Sequence, residues 1–164
     1  MSRKVTSTKY ANIGSISSGT LRPEDLVDAF ASELAALYKY TNTRMPPHVK
    51  EMLATIDKLD EIDFEDGDAD EFVEELAQEL EHFAPPFAYF GASEGDGADF
   101  GFWISGDSLR DAIHDGEVLV QDDSRGGRRD KIPKGYTGLL LHISDHGNES
   151  LTRYSRGRYV VTIW

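Results

Sequence analysis

The sequence predicts an α+β domain in which about three N-terminal helices pack on a C-terminal antiparallel sheet or meander. Apolar residues recur at helical spacing from residue 23 to residue 83. After Pro85-Pro86 the texture changes to short aromatic and β-branched runs broken by glycine. At 164 residues the chain has the length of a single domain able to build its own core, and residues 10–164 are read as that domain. Residues 1–9 are polar, carry Arg3, Lys4 and Lys9, and read as a flexible basic tail.

Pro23 suits the first turn of a helix, where its fixed φ and missing N–H cost nothing. A helix is predicted from there to about Tyr40, burying Leu26, Val27, Phe30, Leu34, Leu37 and Tyr38, with Glu24 and Asp25 where the helix dipole favours negative charge. Pro46-Pro47 starts a second helix running to about Leu59, with a narrower stripe of Val49, Met52, Leu53 and Ile56. Asp66-Gly67 is a turn signal, after which Asp68 can cap a third helix, with Glu71 completing a capping box. On that helix Phe72, Val73, Leu76, Ala77, Leu80 and Phe83 share one arc, while Glu71, Glu74, Glu75, Gln78, Glu79, Glu81 and His82 share the other.

Strands are predicted at Phe87–Phe90, Phe100–Ile104, Val118–Val120, Gly138–Ser144, Leu151–Tyr154 and Tyr159–Trp164, interrupted by a short helix at about Asp107–His114. Asp145-His146-Gly147-Asn148 and Ser155-Arg156-Gly157-Arg158 can supply the positive φ of tight turns, so the last strands read as a meander. Residues 121–135 form a long charged loop.

Charge is distributed very unevenly. Between Asp57 and Glu81 there are 13 carboxylates against the single base Lys58, which accounts for −12 of the net −13. Such a field attracts basic surfaces, above all those built to hold nucleic-acid phosphates, and it repels nucleic acid. The expected contact residues are Asp60, Glu61, Asp63, Glu65, Asp66, Asp68, Asp70, Glu71, Glu74, Glu75, Glu79 and Glu81, acting as phosphate mimics toward a basic nucleic-acid-binding protein. The alternative is a solvated face that only keeps the protein soluble. A calcium loop fails on register: a glycine at position six would put Ile62 first for Gly67, or Ala92 first for Gly97.

A second reading makes the chain a small metal-dependent hydrolase or ligand-binding enzyme. Glu94-Gly95-Asp96-Gly97-Ala98-Asp99 and the His142/His146 region could together form an acid–base or metal site, with Asp96, Asp99, His142 and His146 as its groups. The competing explanation is a hairpin whose aspartates bond their own backbone. No phosphate-loop, dinucleotide or nucleophile-elbow motif is present, and no cofactor is implied. The cluster Arg125, Arg128, Arg129, Lys131 and Lys134 is interleaved with aspartates and lacks aromatic stacking partners, so direct nucleic-acid binding is not expected. It could instead bind the acidic face of a second copy, as could Arg153, Arg156 and Arg158, giving a homodimer. The absence of cysteine, of an apolar leader and of any membrane-length apolar run fits a cytoplasmic location.

Three strings, Pro85–Gly91, Glu94–Trp103 and Asp145-His146-Gly147-Asn148, resemble segments of an uncharacterised family of small acidic proteins carried by phages and plasmids. The stretch Ile13–Pro23 is similar to the family's opening. The resemblance carries no activity, fold or site residues. It implies the context of a mobile-element accessory protein, a class that often inhibits host defences such as restriction or CRISPR-type complexes.

Overall fold

The computed structural model describes residues 9–58, 68–124 and 132–164. It is an α+β protein with the helices interleaved among strands that lie mostly toward the C-terminus. The chain divides into two compact units, Thr8–Ile104 and Ser105–Trp164.

The first unit contains β1 (Gly14–Ser18), α1 (Pro23–Tyr40), α2 (Pro47–Ile56), α3 (Asp68–Glu81), β2 (Ala88–Ser93) and β3 (Asp96–Ile104). Prolines open α1 and α2 at their first helical positions, as expected. Thr41 closes α1, its N–H and hydroxyl both donating to the Leu37 carbonyl. The helix α2 stops at Ile56, with Asp57 as C-cap, short of the expected Leu59. The capping role expected of Asp68 lies outside the described side chains.

The three helices bury one shared core against a three-stranded antiparallel sheet of order β1-β3-β2. Phe30 of α1 sits at its centre, edge-on to Phe90 at 4.9 Å and to Phe100 at 5.7 Å, while Leu34, Val49, Leu76 and Leu80 are wholly removed from solvent. Burying such side chains stabilises by about 1.5–3 kcal/mol each, which is what holds α3 despite its charge. β1 was not expected, because Gly-Ser-Ile-Ser-Ser holds one apolar residue and shows no alternation. Its position follows from β3: Gly101 lies so close to Gly14 that a Cβ there would fall 2.1 Å from the Gly14 carbonyl oxygen. The glycine-aspartate string is a two-residue hairpin, Ser93 pairing with Asp96, so Gly91 and Gly101 are strand residues facing one another.

The second unit contains α4 (Gly106–His114), β4 (Val118–Asp122), β5 (Gly138–Ile143), β6 (Glu149–Ser155) and β7 (Arg158–Thr162). Ser105 caps α4 by accepting the Ser108 N–H, and Leu109 and Ala112 are buried. The strands form one sheet of order β4-β5-β6-β7. The β5–β7 meander is antiparallel as expected, and Arg156 and Gly157, with φ of 51° and 74°, make its last turn. β4 is parallel to β5, an addition the all-antiparallel expectation lacked. Parallel neighbours need a crossover of a dozen or so residues, and residues 123–137 supply that length.

Candidate functional site

Whether the acidic block can act as a surface depends on what α3 does with each carboxylate. Its apolar side is fixed by Ala69, Leu76 and Leu80, with Phe72, Val73 and Ala77 partly buried beside them. Asp70, Glu71, Glu74 and Glu75 point to solvent and make no ion pair or hydrogen bond among the described residues. At 100° per residue they fall within an arc of about 140°, and at 1.5 Å per residue they occupy about 9 Å of helix. That is roughly one charge per 2.3 Å, between the ~3.4 Å of a single DNA strand and the ~1.7 Å of the duplex.

The remaining expected contact residues divide into two groups. Asp60, Glu61, Asp63, Glu65 and Asp66 lie outside the described residues, as does the Asp68 side chain. Glu79 and Glu81 are described, and both are committed to the fold. Glu81 accepts the backbone N–H of Phe90, tying the end of α3 to β2. Glu79 is largely buried, its side chain 16% exposed, and it is bonded by His48 Nε2 at 2.9 Å and Tyr38 Oη at 3.4 Å, with His82 Nδ1 at 3.6 Å. This junction of α1, α2 and α3 borders a cleft of about 660 Å³ walled by Tyr10, Tyr38, Pro46 and Phe83. Sequence reasoning assigned Glu79 to the solvent face. The available signal was angular: Glu79 stands about 20° from Phe72 on the helical wheel, at the boundary of the apolar arc.

Charge is segregated between the units. Residues 9–104 hold 21 carboxylates and six Lys or Arg, whereas residues 105–164 hold nine of each. Within the first unit the burial of Glu33, on α1, raises its carboxyl pKa. Burial also raises the Tyr38 phenol, assisted by the negative charge of Glu79 and the hydrogen bond to it.

The four residues of the hydrolase reading are placed as follows. Asp96 accepts the N–H of Ala98 at 2.9 Å, a local turn bond, and Asp99 accepts the Ser15 hydroxyl across the β1–β3 pair. Both belong to the first unit. His142, on β5 of the second unit, is paired with Asp123 at 3.1 Å, while His146 is exposed on the following turn beside Asp145. Among the described residues there is no group of three or more His, Cys, Asp or Glu side chains that could hold a metal. Of the basic cluster, only Lys134 is among the described residues, and it is exposed. Arg153, Arg156 and Arg158 are exposed on the β6–β7 hairpin. No described helix is long and apolar enough to cross a membrane.

Comparison of the chain with protein-family models, with curated proteins and with solved structures finds no match.

Proposed function

We propose that this protein is an acidic accessory protein of a mobile element that inhibits a host nucleic-acid-binding defence protein by presenting helix α3 in place of nucleic-acid phosphates. One observation carries the reading: Asp70, Glu71, Glu74 and Glu75, which make no ion pair among the described residues, form a row on one face of a helix whose opposite face is locked in the core. A mimic needs charge at nucleic-acid density held in fixed geometry, because a mobile acidic tail loses conformational entropy on binding. Glu79 and Glu81 support the rigidity, since each fastens α3 to a neighbouring element. The mobile-element context comes from the resemblance of the glycine-aspartate and Asp-His-Gly-Asn strings to small acidic phage and plasmid proteins.

The test is capture from bacterial lysate by the wild-type protein and by E71K/E74K/E75K, followed by elution with duplex DNA. A nucleic-acid-binding protein held by wild type alone, and released by DNA and by salt, is the expected result. Identical capture by both proteins, or capture that DNA does not reverse, overturns the proposal and returns the face to a solubilising role.

A further inference from the structure

Strand β1 is an edge of the first sheet, and its outer side opens on a cleft of about 460 Å³. The lining comprises residues 12–16 in unbroken succession, together with Ala29, Ser32 and Glu33 of α1. Gly14, Ser15 and Ile16 of β1 line it in succession, and because side chains alternate faces along a strand, the backbone edge itself forms part of the wall. Small side chains keep that edge accessible. Apart from the β1–β3 ladder, the backbone of residues 12–18 makes no backbone hydrogen bond among the described residues. Ile16 is the extra residue of a bulge between Ser15 and Ser17 and has no partner in β3. Facing this edge, Glu33 is half-buried and makes no hydrogen bond or ion pair among the described residues. An uncompensated carboxylate in a partly desolvated position favours an arriving cation.

We infer that the cleft between β1 and α1 docks an extended basic segment of a protein partner, which adds to the sheet as a fourth strand and places a Lys or Arg side chain on Glu33. An added strand is held by main-chain hydrogen bonds and selected by alternate side chains, so an open edge, a carboxylate and an apolar residue in one groove are the parts it requires. Charge identifies the occupant. The lining contains no Lys or Arg, and an adjoining cleft that shares Ser32 adds Asp28 and Asp57. The enclosing unit carries 21 carboxylates against six bases, which excludes nucleic acid and acidic peptides. This inference stands beside the α3 reading rather than on it, because β1 and α3 can bind or fail to bind independently.

The test is a titration of the ¹⁵N-labelled full chain with an alternating threonine–lysine decapeptide, using the threonine–glutamate decapeptide as control. Expected are amide shifts at residues 12–18 and 29–33 with the basic peptide only, and slowed amide exchange along β1. Glu33→Gln should weaken this binding on the order of tenfold, the loss of one charge-assisted contact. Ile16→Pro, which removes an edge N–H, should abolish it, and Glu33→Gln keeps the test decisive if the proline variant does not fold. Shifts confined to the exposed α3 residues, equal binding by the Glu33→Gln variant, or no shift at all would overturn it. So would β1 shifts produced by raising protein concentration alone, which would make a second copy the occupant.

Discussion

Glu79 of α3 and His48 of α2 are joined at 2.9 Å, and through this contact an acidic helix is fastened by one of its own acids. The glutamate also receives the Tyr38 hydroxyl from α1, so a single carboxylate holds three helices at one point. Glu79→Ala should therefore cost about 1–3 kcal/mol, because it leaves the buried Tyr38 hydroxyl without its acceptor. For a unit of roughly a hundred residues that is a fall in melting temperature of at least about 4 °C. Charge reversal at Glu71, Glu74 and Glu75 removes like-charge neighbours on an exposed face and should change stability by no more than about 0.5 kcal/mol for each residue. Thermal melts of the two variants check the contrast, and equal losses would mean that Glu79 is only one more surface charge.

The same junction sets an alkaline limit. The Tyr38 pKa stands above its ordinary value of 10.0, raised by burial and then by Glu79. The folded state thus holds that proton more tightly than the unfolded state does. The resulting stability is fully present below pH ~10 and is lost as pH rises through the folded pKa. Tyr38→Phe should flatten the fall in stability above pH ~10 while costing about 1 kcal/mol at neutral pH through the lost hydrogen bond. Denaturant melts between pH 7 and 11 measure both effects.

Glu33 behaves in the same sense, but in the acid range. Burial raises its pKa above 4.5, so its contribution to stability is fully present below that value and is lost as pH rises through the folded pKa. Neutral solution is therefore the condition in which Glu33 opposes folding. Glu33→Gln should be more stable than wild type at pH 7, and the advantage should vanish below pH ~4. Wild type that is the more stable at pH 7 would show that the Glu33 charge has a favourable partner in solution.

The elements were legible in the sequence where pattern and packing agree. Pro23 and Pro47 mark helix starts because their ring geometry matches the first turn, and the stripe from Leu26 to Tyr38 is the face that meets the core. The turn at Arg156-Gly157 was legible because positive φ restricts residue choice. Strand β1 was not, since its place comes from backbone pairing with the distant strand β3 and its own side chains carry almost no pattern. The parallel seating of β4 is likewise a property of the sheet rather than of Val118–Asp122. On α3 the sequence displayed the acidic face but not its division. Beyond the place of Glu79 at the edge of the apolar arc, Asp70, Glu71, Glu74 and Glu75 differ from Glu79 and Glu81 in what other elements bring near them, namely His48 and Tyr38 in one case and the Phe90 amide in the other. His142 and Asp123 are 19 residues apart and meet because β4 and β5 are adjacent strands, a pairing no local spacing announces.

Gly101 is the position at which the first sheet is least tolerant. A methyl group there would lie 2.1 Å from the Gly14 oxygen and 2.9 Å from Ser15 Cα, and both are backbone atoms that cannot rotate aside. Gly101→Ala must therefore push β1 away from β3, losing ladder bonds. The expected cost is about 3 kcal/mol or more, at the upper end of single-substitution effects, from a change that adds one carbon. Gly97→Ala, in the same sheet with nothing within 4 Å of the added group, serves as the control and should cost less than about 1 kcal/mol. Amide exchange of residues 14–18 in the two variants reads the result directly. If Gly101→Ala leaves β1 protected and the melting temperature unchanged, β1 does not pair with β3 as closely as described.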